Sequence, residues 1–81
     1  MQVTEVNYLS NYTLYIKFED GVEGAVNLSD LVEKGVFQTL KQPSVFSTAY
    51  STGASVAWSD DLEIDSDYLY LEITGKTVVP R

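Results

Sequence analysis

The sequence predicts an α+β fold, in which an antiparallel β-meander carries short helices packed on one side of the sheet. Strongly apolar residues occupy alternate positions in the first third of the chain, which is the period of half-buried strands. The spacing then becomes helical in the middle of the chain. The 81 residues, of which 44% are hydrophobic, suit a single globular domain spanning residues 1–81.

A β-hairpin is the first element that the alternation predicts. Strongly apolar residues take every second position of residues 13–19, and a similar alternation with one glycine runs through residues 22–28. Asp20 and Gly21 separate the two runs, and an Asp-Gly pair readily adopts the positive φ that tight hairpin turns need.

A third strand is expected before the hairpin, because residues 3–9 have a strand-like composition and Ser10 and Asn11 can form the connecting turn. The result is a three-stranded antiparallel meander. Tyr12 and Tyr15 are predicted to lie on its outer face, where tyrosines beside acidic residues suit contacts with a basic protein.

Helical spacing follows the meander, with Leu31 and Val32 as the apolar positions. Ser29 and Asp30 precede them, and both residue types cap helices. Gly35 can end the helix in the left-handed conformation, so we expect about two turns.

The central residues 36–40 are predicted to pack back on the sheet through Phe37 and Leu40. Pro43 can begin another short helix, because its fixed φ suits the first helical turn. The apolar side of that helix is expected to consist of Val45, Phe46 and Tyr50. Residues 51–53 should form a loop.

The last third of the chain returns to alternation in residues 54–58 and 62–65, which predicts two short strands. Asp60 and Asp61 can turn the chain between them. Trp58 is most simply a core anchor, since its large ring needs burial.

A final helix is predicted from Asp65 or Ser66, either of which can cap its start. Gly75 can end this helix in the left-handed conformation. Residues 76–81 would then form a flexible tail.

The charge balance narrows the classes of partner. Twelve acidic and five basic residues give a formal net charge of −7, and the basic residues are scattered along the chain. Direct nucleic-acid binding is disfavoured, because neutralising phosphates takes clustered lysine and arginine. The excess of acid favours a partner protein with a basic surface.

Cysteine and histidine are absent from the sequence. Thiol nucleophiles, disulfides and imidazole general bases are therefore excluded, and with no other catalytic signature we expect no enzyme and no cofactor. The first residues resemble no secretory leader, and no apolar run approaches the roughly 18 residues of a membrane span. A cytoplasmic protein without membrane contact is expected.

The most acidic segment, residues 60–72, invites a metal hypothesis. Its acids occupy positions one, three, five, seven and twelve of a calcium-loop template. These weak metal candidates are Asp61, Glu63, Asp65, Asp67 and Glu72. Position six is Ser66 where the loop needs glycine, and a solvated strand with one acidic face explains the same spacing. We therefore predict no metal site.

Other sites fit the sequence less well. A glycosidase-like carboxylate pair would need a cleft that a chain of this size hardly supplies. Thr74, Gly75, Lys76 and Thr77 end like a phosphate-binding loop, but Tyr70 stands in place of the first glycine. An aromatic platform for single-stranded nucleic acid would need a basic groove, which is missing.

The residues that remain as candidates for a protein contact are tyrosines of the hairpin and acids of residues 60–67. They are Tyr12, Tyr15, Asp60, Asp61, Glu63, Asp65 and Asp67. A homodimer formed through a free sheet edge is a further option that the sequence leaves open.

Nearly the whole chain resembles a family of small bacterial proteins known as the domain of unknown function 2442. The resemblance begins with Phe18, Glu19, Asp20, Gly21, Leu28, Leu31, Gly35, Val36, Phe37, Leu40, Pro43 and Phe46. It ends with Trp58, Ile64, Asp67, Leu69 and Tyr70. Individually these are ordinary turn and core residues, so the resemblance rests on their order and spacing.

The chain departs from the family after the tryptophan. Family members commonly continue with Pro, Asn and Gly, then an Asp, and begin the last helix with Pro. The corresponding residues here are Ser59, Asp60, Asp61, Glu63 and Ser66. Part of the acidity of this segment is therefore particular to this protein.

The resemblance implies an α+β domain with an antiparallel sheet and short helices, and no established activity. Some relatives carry an additional helix-turn-helix domain, and others are encoded beside a second small domain in a manner similar to toxin and antitoxin pairs. These features imply a protein partner. The leading hypothesis is thus a noncatalytic interaction or regulatory module, and the alternative is a domain that binds a small ligand or divalent cation through residues 60–72.

Overall fold

The computed structural model describes residues 2–59 and 61–75 of the chain. The first of two antiparallel sheets is a meander of three strands in the order β1-β2-β3. These strands are β1 (Val3–Ser10), β2 (Thr13–Phe18) and β3 (Glu23–Asn27). The predicted meander and the turn at Asp20 and Gly21 are confirmed, and Gly21 has the positive φ of 93° that the turn needs.

The turn between β1 and β2 lies one residue beyond the predicted position. Ser10 pairs with Thr13, so Asn11 and Tyr12 occupy the turn, with φ values of 51° and 60°. Two residues with positive φ are typical of the hairpin turn whose twist matches that of the strands.

The second sheet also has three antiparallel strands, in the order β4-β5-β6. They are β4 (Tyr50–Ser51), β5 (Ser55–Ser59) and β6 (Leu62–Asp65). The sequence predicted the last two strands but placed Ser51 in a loop and Tyr50 on the apolar side of a helix. The Ser51 hydroxyl donates to the Val3 carbonyl at 2.7 Å, and the Val3 amide donates to the Gly53 carbonyl at 2.7 Å, which joins the two sheets.

Short helices fill the connection between the sheets and end the described chain. They are the 3-10 helices Leu31–Glu33 and Gly35–Lys41, α1 (Pro43–Phe46) and α2 (Ser66–Thr74). In α2, the Asp65 carboxylate accepts from the Asp67 amide and Gly75 takes the left-handed conformation, as the sequence predicted for both ends. An ideal Cβ at Gly24 would lie 2.9 Å from Ile73 Cγ2, so glycine lets α2 approach β3 closely.

The predicted helix of two turns after β3 is instead a single 3-10 turn, and no side chain caps it. The side chain of Ser29, the expected cap residue, is already engaged, because its hydroxyl donates to Asn27 Oδ1 at 2.5 Å. Gly35, with φ of 46°, then starts the second 3-10 helix. Leu40 on that helix is fully buried, as predicted.

Phe46 stands at the centre of the core. Its ring contacts Tyr8 and Tyr12 of the first hairpin at centroid distances of 5.7 and 5.4 Å, and Trp58 of β5 at 5.6 Å. Trp58 is 9% exposed, and its indole N–H donates to the Phe46 carbonyl at 2.9 Å, which confirms it as a core anchor. Val45, predicted to lie with Phe46 on the apolar side of helix α1, is 40% exposed.

No helix among the described residues is both long and apolar enough to cross a membrane. The longest described α-helix, α2, has 9 residues.

Candidate functional site

An open cleft of about 360 Å³ lies on one face of the second sheet. Its lining residues come from the β4-β5 turn, from β5 and from β6. They are Thr52, Ala54, Ser55, Glu63 and Asp65. Two of the acids that the sequence singled out, Glu63 and Asp65, thus lie on one concave surface.

The strand register explains why a cleft forms beside these acids. Glu63 pairs with Ala57 and Asp65 pairs with Ser55, so each carboxylate stands next to a small side chain on the same face. Of these two small residues, Ser55 lines the cleft, and its side chain adds little volume beside Asp65. A larger residue at this position would fill part of the cleft.

The floor of the cleft is fixed by hydrogen bonds. The Thr52 amide donates to the Ser55 carbonyl at 2.9 Å, and the two hydroxyl oxygens of Thr52 and Ser55 lie 2.5 Å apart. The Ser66 amide donates to the Ala54 carbonyl at 3.0 Å, which ties the start of α2 to the same turn. The cleft is thus a feature of a closed turn between paired strands.

The acids of this segment differ in how they are used. Asp65 Oδ1 accepts from the Asp67 amide at 3.1 Å and so caps α2. The exposed side chains of Asp61, Glu63 and Asp67 have no hydrogen-bond or ion-pair partner within residues 2–59 and 61–75. Asp60 lies outside the described residues, as does the predicted tail of residues 76–81.

The structure does not arrange these acids as a calcium loop. Glu63 and Asp65 belong to a paired strand, whereas Asp67 and Glu72 lie on the helix that follows. A calcium loop would instead wrap these oxygens around one centre. Among the described residues, no group of three or more acidic side chains is placed to hold a metal ion.

On the outer face of the first sheet, by contrast, acidic side chains accept hydrogen bonds from their neighbours. The Tyr15 hydroxyl donates to Glu23 Oε1 at 2.7 Å, and Asn7 Nδ2 donates to Glu5 Oε2 at 2.6 Å. The hydrogen bond to Glu23 is the main cause that raises the pKa of Tyr15 to about 12, with smaller contributions from burial and the Glu5 charge. Tyr15 does lie on the outer face, as predicted, but its hydroxyl already has a partner.

Acids of the β2-β3 turn are also paired. Tyr70 donates to Asp20 Oδ2 at 2.7 Å and the Val22 amide donates to Asp20 Oδ1 at 3.0 Å, and these bonds lower the pKa of Asp20. Glu19 accepts from the Gln2 amide at 2.8 Å.

Acids on the helices have close neighbours as well. Glu33 forms an exposed ion pair with Lys41 at 2.8 Å. On α2, burial and the nearby Glu72 carboxylate raise the pKa of Tyr68. Among the described residues, the acids that lack such a neighbour include Asp61, Glu63 and Asp67, which lie around β6 and the start of α2.

Tyr12 does not lie on the outer face, so its predicted placement is wrong. Tyr12 lies two residues before the buried Leu14, and alternation along a strand places both side chains on the same side. The Tyr12 ring packs edge-on against Phe46. Its hydroxyl donates to the Lys41 carbonyl, which tethers the end of the second 3-10 helix. The two-residue spacing from Leu14 can be read in the sequence and would have placed Tyr12 correctly.

Thr52, Ala54 and Ser55 form part of the cleft but carry no signal in the sequence. Each is a small residue of a turn or strand, and its role depends on which strand lies beside it. Only the pairing of β5 with both β4 and β6 places these residues next to the two carboxylates.

The comparisons with known proteins identify one family. The model of the family described as Protein of unknown function (DUF2442) matches residues 3–75, which includes both sheets and α2. Neither the curated proteins nor the solved structures contain a match to this chain.

Proposed function

The chain belongs to the DUF2442 family of proteins of unknown function, and from that premise we propose that it is a noncatalytic module that binds a basic protein partner. The contact surface is the open side of β6 with the start of α2. The observation that carries the proposal is the group of exposed carboxylates at Asp61, Glu63 and Asp67 that have no partner among the described residues. Such charges contribute little to the fold and are free to meet cations of another molecule.

The overall charge supports a basic partner. With 12 acidic against 5 basic residues, the potential around the molecule is negative, and it speeds encounter with a positively charged surface. Lys41 is already paired with Glu33, on a segment away from β6. Within the described residues 61–75, which include β6 and α2, the sequence has no lysine or arginine.

The exposure of these acids supports binding over catalysis. A carboxyl that acts as a general acid at neutral pH is usually desolvated or placed against a second carboxylate. Glu63 and Asp65 are both exposed and lie on an open cleft. Their arrangement suits ion pairs with lysine or arginine side chains.

A regulatory role in a two-protein system is the finer part of the proposal. The acidic module would mask the basic surface of a small protein encoded beside it and thereby control that protein's activity. Such masking depends on charge complementarity, which sets specificity and association rate more than total affinity.

The experiment that tests this proposal measures binding to the purified protein encoded next to this one, by isothermal titration calorimetry. We expect a complex whose affinity falls as salt is added, because exposed charges are screened. Replacing Asp61→Asn together with Glu63→Gln should weaken the complex about tenfold.

The matched control replaces Glu5→Gln together with Glu23→Gln, which changes the net charge by the same amount on the other sheet. This control should retain most of the affinity. The proposal fails if no complex forms, or if both double variants weaken the complex equally.

The alternative, a site for a small ligand or divalent cation, retains some support from the cleft that holds Glu63 and Asp65. Two carboxylates alone hold calcium or magnesium weakly, since these ions take six or more oxygen ligands. Calorimetric titration with each ion should therefore give no saturable heat, and saturation that is lost in Asp65→Asn would favour the alternative.

A further inference from the structure

The open edge of β6 has a backbone that can accept another strand. Within the described residues, β6 pairs only with β5. In an antiparallel pair, the backbone groups of every second residue face the neighbouring strand. The Ser66 amide, directly after β6, donates to the Ala54 carbonyl, so the backbone of Ser66 faces the segment that leads into β5. Two residues earlier, Ile64 must also point toward its partner Val56.

The same alternation turns the backbone of Glu63 and Asp65 outward. The Thr52 amide donates to the Ser55 carbonyl, so Ser55 directs its backbone to β4 and not to its neighbour Asp65. The N–H and C=O groups of Glu63 and the N–H of Asp65 therefore face away from β5. These groups form a short template for an added strand.

The side chains at this edge select the strand that can be added. Glu63 and Asp65 lie on one face beside the cleft, and an added strand places every second side chain on that same face. A second copy of β6 would bring acidic residues opposite acidic residues, which is destabilising. Lysine or arginine at alternate positions would instead meet the two carboxylates.

We propose that the free edge of β6 binds an extended basic segment of a partner protein as an additional strand, with an alternate lysine or arginine entering the cleft between Glu63 and Asp65. The small residues Ala54 and Ser55 leave room for the aliphatic part of that side chain, and the Thr52 hydroxyl can accept from its charged end. This inference rests on the proposed function and specifies how the partner is recognised.

The test uses a short synthetic peptide in which lysine alternates with valine, added to the isotope-labelled full chain. We expect saturable binding, with the largest amide shifts in nuclear magnetic resonance spectra at Glu63 and Asp65. A second peptide, methylated on the backbone nitrogens that would face β6, should bind at least about tenfold more weakly, because it cannot donate the strand hydrogen bonds.

Two protein variants and a rearranged peptide complete the test. Glu63→Gln with Asp65→Asn should weaken the alternating peptide about tenfold while keeping the cap of α2, because asparagine also caps helices. Glu5→Gln with Glu23→Gln should have little effect. A peptide of equal composition with its lysines grouped should bind more weakly than the alternating one.

The outcomes separate this inference from the proposed function. Equal binding of the methylated, grouped and alternating peptides, still lost in the variant of Glu63 and Asp65, would overturn strand addition and leave the acidic contact surface intact. Equal weakening by both double variants would overturn the contact surface as well. Amide shifts centred on β3 would assign strand addition to the other sheet and refute the role of β6.

Discussion

The outer face of the first sheet and the open side of the second carry the same kind of residue in different states. On the first sheet, Glu5 accepts from Asn7 and Glu23 accepts from Tyr15. On the second, the carboxylate of Glu63 has no partner among the described residues and borders a cleft. The number of acids in a segment therefore says less about binding than whether the fold has already used them.

The paired acids also have structural roles that the unpaired ones lack. Asp20 accepts from Tyr70 and so joins α2 to the β2-β3 turn, and Glu19 accepts from the Gln2 amide. Asp61, Glu63 and Asp67 make no such side-chain contact among the described residues. The proposed partner contact uses the latter group.

The largest expected effect comes from removing the side chain that joins the two sheets. Phe46→Ala should lower the free energy of unfolding by about 3 to 5 kcal/mol, because the fully buried ring contacts aromatic residues of both sheets. Urea unfolding followed by circular dichroism and by Trp58 fluorescence measures the change. The two signals should coincide, since the sheets share one core.

Val45→Ala in the same helix is the control, and should cost well under about 1 kcal/mol because Val45 is 40% exposed. Two separate transitions in the parent protein would mean that the sheets unfold independently. Their contrasting surfaces would then belong to separate units.

A smaller loss of stability should follow from removing either of two side-chain hydrogen bonds, one provided by each sheet. Trp58 of the second sheet bonds the buried Phe46 carbonyl, and Tyr12 of the first bonds the more exposed Lys41 carbonyl. Trp58→Phe should cost about 2 to 4 kcal/mol, from the lost contacts of the larger ring and the lost buried hydrogen bond. Tyr12→Phe should cost about 1 kcal/mol.

Denaturant unfolding of both variants gives the two values directly. Equal losses would show that burial does not set the strength of these tethers. A negligible loss for Tyr12→Phe would return the Tyr12 hydroxyl to the group of candidates for partner binding.

On the second sheet, replacing Asp65 should lower the stability of the protein more than replacing Glu63, although both residues line the same cleft. Asp65→Ala removes the side chain that accepts from the Asp67 amide and should cost about 1 kcal/mol. Glu63→Ala should change stability by less than about 0.5 kcal/mol, because its exposed carboxylate has no described partner. Thermal unfolding of the two variants compares them, and a comparable loss for Glu63 would mean that this acid serves the fold.

Local signals explain how much of the fold was predictable from the sequence. Alternation marked β2, β3 and β6, and the Asp20-Gly21 pair marked a turn that the structure confirms. The two ends of α2 were readable because capping depends on single residues close to the helix. Each of these signals is contained within a few neighbouring residues.

The missed features depend on contacts between distant segments. β4 has only 2 residues, too few for a period, and exists because Tyr50 and Ser51 find partners on β5. The two-turn helix failed because Asn27 engages Ser29 and because the backbone is already extended at Lys34. Helical spacing alone does not report such competition.

For the same reason, only part of the candidate site could be predicted from the sequence. Glu63 and Asp65 could be named from the sequence, since alternation with apolar residues predicts an exposed acidic face. Their neighbours Thr52 and Ser55 could not, because strand pairing brings them there. Which acids have partners was likewise unreadable: Asp20 meets Tyr70, 50 residues away.

The sharpest test of the contrast between the sheets concerns the ionisation of Tyr15. Glu23 holds the pKa of Tyr15 at about 12 in the folded protein, against an ordinary value of 10.0. Between these values the unfolded chain loses the proton while the folded chain keeps it. This contribution to stability is therefore complete below pH 10 and lost as pH rises through about 12.

The tyrosinate absorbance of the parent minus that of Tyr15→Phe isolates the titration of Tyr15. Glu23→Gln should move it toward the ordinary value, because the paired charge is removed, whereas Glu63→Gln should leave it unchanged. A Tyr15 that ionises at the ordinary value would mean that Glu23 is as free as Glu63, and the first sheet would then become an equal candidate for the partner surface.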